Sequence, residues 1–147
     1  MFQKFTYKGR YLPENPKKYA GDSSNIIYRS SWERRFMVYC DKTPSIISWA
    51  SEELHVPYLS PIDKKMHRYY PDFIIKIKTD AGEKISMIEV KPNRETRPPR
   101  KKKNQKRYLQ EIKTWGVNEA KWRAAKKYCE LKGWDFKIIT EKHLLST

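Results

Sequence analysis

Residues 71 to 92, PDFIIKIKTDAGEKISMIEVKP, alternate apolar and polar positions on either side of a short Asp-Ala-Gly break. Side chains on a strand point to opposite faces in turn, and Asp80 to Gly82 is a turn signal, so this stretch is committed to an antiparallel hairpin. Three charged residues sit oddly in it. Asp72 opens the first run, and Glu89 and Lys91 close the second. Ionised groups beside buried strands are costly unless something pairs them or uses them. Alternation puts Glu89 and Lys91 on one face and Ile88 and Val90 on the other. Antiparallel pairing brings Asp72 to the same end of the sheet as Glu89.

The remaining elements fall around this hairpin. RSSWERRFMVYCDK predicts a helix with Ser30 or Ser31 at its N-cap and Glu33 in its first turn, where a negative charge suits the dipole. Trp32, Phe36, Tyr39 and Cys40 give it a buried stripe, and Glu33 lies on the border of that face. A strand from PSIISWASEE and another around His55 to Leu59 follow, with Pro57 marking an edge or bulge. HRYYPDFIIKIK reads as one strand leading into the hairpin. Two helical stretches are predicted, about residues 103 to 114 and 118 to 132, then the strand WDFKIIT and a short helix at EKHLL. The expected fold is α/β, with three or four strands including the hairpin and a later strand in a mixed central sheet flanked by helices. Residues 1–28 read as an extended arm lying over the domain or over a ligand, and residues 29–147 as one domain carrying a basic segment at 93–107.

The chain has 147 residues and a formal charge of +15, from 32 Lys and Arg against 17 Asp and Glu. Charge this strong and this clustered points to a polyanionic partner, DNA before a membrane surface. Solubility alone is the plainer explanation. Cys40 and Cys129 are far apart and outside any CxxC pattern, which excludes a zinc knuckle and a disulfide framework. His55, His67 and His143 form no close ligand pair. No apolar run approaches the roughly 20 residues of a membrane span, and a cytoplasmic location is expected.

Asp72, Glu89 and Glu33 together would repel one another, and a hard divalent cation removes that conflict. Mg²⁺ suits a few carboxylate or carbonyl oxygens plus retained waters. Lys91 would then stand where water is activated for phosphodiester hydrolysis. Glu-x-Lys alone is weak evidence, because it occurs four times, at Glu89, Glu111, Glu119 and Glu130. The last three fall in predicted helices, where residues two apart do not share a face. Each residue also has an ordinary reading. Glu89 and Lys91 make a surface ion pair, Asp72 caps a turn after Pro71, and Glu33 is a first-turn helix charge.

Pro71-Asp72, then Glu89-x-Lys91, preceded by a helix bearing Glu33, resembles the PD-(D/E)xK nuclease superfamily. The longer string YRSSWERRF, SEELHVPY, HRYYPDF and IEVKP is similar to the group that contains the transposon-end-cleaving subunit of Tn-seven-type elements. More narrowly, it resembles the head-completion nucleases of T-even-like tailed phages. The resemblance implies a restriction-endonuclease-like core of helix, three-stranded meander, helix and strand. It implies a metal-dependent deoxyribonuclease using Mg²⁺, with Mn²⁺ able to substitute. Asp72 and Glu89 would hold the ion, with the Val90 carbonyl as a third ligand and Glu33 direct or through water. Lys91 would orient or activate the attacking water, and Glu53, or equally Glu52, would be accessory. The implied setting is head completion, on packaged DNA before tails join, in the host cytoplasm or with the virion, among head or neck proteins. Two alternatives stay open: a junction-resolving or transposon-end endonuclease, and a non-enzymatic basic DNA-binding virion protein.

Arg94, Arg97, Arg100, Lys101, Lys102, Lys103, Lys106 and Arg107 directly follow the site and are expected to grip backbone phosphates; a solvated loop is the alternative. Arg68 and Tyr69 are expected to meet the cut strand. Lys121, Arg123, Lys126 and Lys127 continue the basic character, while Trp122 and Tyr128 belong to the core. In the arm, Tyr7, Arg10, Tyr11, Lys17 and Lys18 follow a groove or pack. Contacts to the backbone without a reading helix imply little sequence specificity. One active site per chain would need a homodimer to sever both strands in concert.

Overall fold

The computed structural model describes residues 8–145. The first seven residues of the expected arm, Tyr7 among them, lie outside the described residues. The rest of the arm is built into the domain. Strand β1 (Gly9–Tyr11) pairs antiparallel with β2 (Ile26–Tyr28), and a 3-10 turn at Pro16–Lys18 lies between them. Tyr11, Tyr19, Ile26 and Tyr28 are all buried, so this segment is a ribbon sealing the core.

Helix α1 (Ser31–Lys42) starts where expected, with Ser30 Oγ accepting from the Glu33 N–H at 3.2 Å. Strand β3 (Ile46–Ser51) follows, then β4 (Val56–Leu59) and β5 (Met66–Tyr69), which pair only with each other. The single strand expected from His67 onward is therefore two. Pro71 has no N–H to give a ladder and holds Tyr70 out of one, so the chain leaves the outer hairpin and re-enters the central sheet at β6 (Phe73–Thr79). Strand β7 (Gly82–Val90) returns antiparallel. Gly82, at φ +115°, takes a backbone shape that a side chain would resist.

The basic segment forms a 3-10 turn at Asn93–Thr96 and then runs to α2 (Gln105–Lys132), capped by Asn104 and stopped by left-handed Gly133. The two expected helices are one helix of 28 residues, because Gly116 costs a helix only about 1 kcal/mol and nothing else breaks it. Strand β8 (Asp135–Ile139) joins β7 in parallel, and α3 (Glu141–Leu145) ends the described chain. The central sheet has the order β3-β6-β7-β8, a meander with a later parallel strand, as the sequence implies.

Strand alternation sorts the two cores. Phe73, Ile75, Ile88 and Val90 face Trp32, Phe36, Met37 and Cys40 of α1. Ile74, Met87, Phe136 and Ile138 face the other way, onto Trp122, Ala125 and Cys129 of α2 and onto Val56, Tyr58 and Tyr69 of the outer hairpin. On α2 only Asn118, Trp122, Ala125 and Cys129 are buried, so its first three turns project with their basic residues in solvent. Both cysteines are buried and free. Among the described residues no helix is long and apolar enough to cross a membrane.

Asp41 ties the ribbon to α1. It is 1% exposed and accepts from Tyr11 Oη and Glu14 N at 2.7 Å and from Asn15 N at 3.0 Å. Burial alone would push this carboxyl up, but the bonds from Tyr11, Glu14 and Asn15 outweigh it and hold Asp41 below the ordinary range. A depressed folded pKa stabilises the fold above the unfolded value, near 3.9, and that contribution is lost as pH falls through the folded pKa. Asp41→Ala leaves three donors without their acceptor and is expected to cost about 3 kcal/mol. Melting between about pH 6 and pH 3 checks it: the acid loss of stability should be steeper in wild type than in the variant.

Candidate active site

The hairpin register sets the site. Phe73 stands opposite Ile88, so one step further Asp72 stands opposite Glu89, at the end of the sheet where β6 begins and β7 finishes. Asp72, Glu89 and Lys91 share parity with Ile74 and Met87, and so belong to the face that α2 covers. Asp72 Oδ2 accepts from the Val90 N–H at 2.7 Å, and its carbonyl accepts from the Glu52 N–H at 3.2 Å. Glu89 is 5% exposed, and its Oε2 faces the Trp122 indole N–H at 3.5 Å.

Burial, then the charges of Glu89 and Glu33, push the Asp72 carboxyl well above the usual carboxylate range, while the Val90 N–H pulls it down. A hydrogen bond shared between the Asp72 and Glu89 carboxyls adds to the rise. Two acids that would repel each other when ionised are thus held side by side, and they need either a proton or a cation between them.

Glu33 is near enough to act on Asp72, yet its own carboxylate is engaged at the start of α1. Its Oε1 accepts from the Arg29 N–H at 3.2 Å and its Oε2 from Ser30 Oγ at 3.4 Å. Ser30 and Glu33 thus cap the helix start together, with the carboxylate reaching back to the N–H one residue before the N-cap; Glu33 comes from the α1 layer, whereas Glu89 faces the α2 layer. Among the described residues no three His, Cys, Asp or Glu side chains are arranged round one point as a metal cage. The donor set nevertheless fits a hard divalent ion, one bound by two carboxylates with waters in the remaining positions. The Tyr69 hydroxyl is buried at the same spot beside Glu89, where it interacts with that carboxyl and feels the charge of Asp72; a hydroxyl so placed can also hold a water of the ion's shell.

The other expected site residues divide. Lys91 follows Glu89, half-buried, with its N–H given to the Ile139 carbonyl at 2.9 Å. Arg68 is exposed on β5, but Tyr69, expected to meet the cut strand beside it, is only 4% exposed and is packed under α2. Glu53 is engaged with the N-terminal ribbon, where it accepts from Tyr19 Oη at 3.0 Å. Glu52 pairs with Arg29 at 3.1 Å and brings only its backbone to Asp72. Arg94, Arg97, Arg100, Lys101, Lys103, Lys106 and Arg107 are exposed beyond the site, and Lys102, also exposed, pairs with Glu111 at 2.9 Å.

Sequence reasoning missed two neighbours, both on α2. Trp122 directs its indole N–H at Glu89, and Lys121 lies where the charges of Lys91, Glu89 and Asp72 all reach it. Nothing in the local sequence distinguishes Lys121 from the other lysines of that helix. Its place follows from how α2 packs across the sheet.

A mixed sheet flanked by helices, with a carboxyl pair and a lysine at the end of its central hairpin, is the architecture of a restriction-endonuclease-like hydrolase. Residues 43–141 match the family described as TnsA-like endonuclease N terminal. The chain is also 42% identical over 143 residues to the head completion nuclease of Enterobacteria phage T4, covering 94% of this chain and 93% of that protein. The chain belongs to the TnsA-like endonuclease family, and it is a nuclease enzyme of a kind that works with divalent metal ions.

Proposed function

We propose that the chain hydrolyses phosphodiester bonds in DNA with little sequence specificity, with Mg²⁺ as its working cation and Mn²⁺ able to substitute. The observation that carries this reading is the Asp72–Glu89 pair, two carboxyls held together at the sheet end against their own repulsion. Asp72 and Glu89 would hold the ion, with the Val90 carbonyl completing the protein's share. Glu33, committed to its helix cap, would act through water. When bound, the ion polarises the phosphate and makes water more acidic.

The chain's own residues do the rest. Lys91 holds the attacking water by hydrogen bonding and orients it toward phosphorus. Arg68 and the exposed series Arg94, Arg97, Arg100, Lys101, Lys102, Lys103, Lys106 and Arg107 bind phosphates on either side of the cut. Such contacts fix position without reading bases. The relative's name supports head completion as the setting, with action on packaged DNA before head and tail join. We place the protein in the host cytoplasm and, when it acts, beside head or neck proteins of the virion. Two copies would together sever both strands.

Supercoiled plasmid tests this reading. Nicked or linear product should form with Mg²⁺ or Mn²⁺ and vanish with chelator, across unrelated sequences. Binding in chelator should weaken steeply with salt, by about 0.9 log units per log unit for each phosphate contacted. Cutting confined to one sequence, or undiminished by chelator, would defeat the proposal.

A further inference from the structure

Lys121 is a lysine on α2 that is not free in solvent. It is half-buried, with its Nζ 5.9 Å from the centre of the Tyr58 ring and 5.8 Å from that of Tyr69. Both rings belong to the outer hairpin, so two aromatic faces hold the ammonium in place on the site side of the helix. The next residue, Trp122, directs its indole N–H at Glu89. One turn of α2 therefore presents a fixed cation and a hydrogen-bond donor to the same end of the sheet.

Lysine usually keeps its charge in water by extending its stem, and a half-buried ammonium needs a counter-charge. Lys121 feels the charges of Asp72 and Glu89 but also that of Lys91, a second cation facing the same space. Three carboxylates, one divalent cation and two ammonium groups would leave a single net positive charge. One phosphodiester carries the equal and opposite charge.

Resting on the nuclease reading above, we infer that Lys121 is a catalytic residue whose ammonium binds a non-bridging oxygen of the phosphate being cut, held there by Tyr58 and Tyr69. In hydrolysis a water oxygen bonds to phosphorus while the bond from phosphorus to a sugar oxygen breaks. The water loses a proton and the leaving sugar oxygen gains one. Lys121 takes part in neither transfer. It neutralises charge on the phosphate oxygens as the two bonds exchange, the role of a fixed donor aimed at developing charge. Tyr69 thus serves DNA from beneath, by positioning a cation, and not by touching the strand.

The test compares wild type with Lys121→Met, Lys121→Arg and, as a control for lost charge on the same helix, the exposed Lys113→Met. Methionine keeps the stem over the two rings, and a thermal melt verifies folding. At saturating plasmid with Mg²⁺, Lys121→Met should cut about 100-fold more slowly, and Lys113→Met should match wild type. In chelator, the salt slope of DNA binding should fall by about 0.9 in Lys121→Met. Arginine, which keeps the charge, should restore part of the rate. Wild-type cutting and an unchanged salt slope in Lys121→Met would overturn the inference while leaving the nuclease reading intact. A slow Lys121→Met with an unchanged slope and no rescue by arginine would reduce Lys121 to packing. A wild type that fails to cut with any divalent ion removes the nuclease reading and this inference with it.

Discussion

Asp72→Asn is expected to abolish cutting while making the protein more stable near neutral pH. The two effects share one cause. Burial, Glu89 and Glu33 raise the folded pKa of Asp72 above its unfolded value. A raised folded pKa contributes stability that is present below the unfolded value and is lost as pH rises through the folded one. At neutral pH without metal, the wild type carries the cost of the crowded acids. Asparagine removes one negative charge and can still accept the Val90 N–H bond that Asp72 accepts at 2.7 Å. The metal-free melting temperature of the variant should therefore rise above that of wild type at pH 7 and approach it as the solution is acidified. Cutting with Mg²⁺ should fall about 10³-fold or more, since a bound cation is worth several kcal/mol of charge stabilisation and each 1.4 kcal/mol is tenfold. A variant that is less stable than wild type at every pH would mean that Asp72 is a structural cap.

Lys91→Met should lower the single-turnover rate by about 10³-fold, within the range for loss of a group that manages the attacking water. Its effect on binding should be small. On the proposed reading the exposed basic series beyond Pro92 would supply most of the phosphate contacts, and one ammonium among many would change affinity little. Because Lys91 follows Glu89 on the α2 face of β7, and its backbone is fixed to Ile139, methionine should fit without moving the strand. Measuring rate and affinity separately decides this prediction. Equal loss in both would make Lys91 a binding residue, and no loss in either would remove it from the site.

The hairpin and its acids were legible in the sequence because their information is local. Period-two alternation, a turn signal and a carboxylate at the open end of each strand determine that Asp72 and Glu89 meet. The capping of α1 was equally readable from Ser30 and Glu33, since the bonds span three residues. What failed depended on contacts between distant elements. The break at Tyr70 and Pro71 looked like continuous strand because nothing local says that β5 pairs with β4. Tyr69 looked like a surface contact, although it lies under a helix that starts 36 residues later. The ribbon at Gly9–Tyr11 has no strong period, and its position comes from Asp41 on another element. Lys121 was indistinguishable from its neighbours until α2 was placed across the sheet.

That the carboxyl pair is a cation site is tested most directly by calorimetric titration of Mn²⁺ into the DNA-free protein. Wild type should bind the ion and Asp72→Asn should not, with the heat signal weakening as pH falls and protons compete for the same two carboxyls. Equal Mn²⁺ binding by wild type and Asp72→Asn would contradict it.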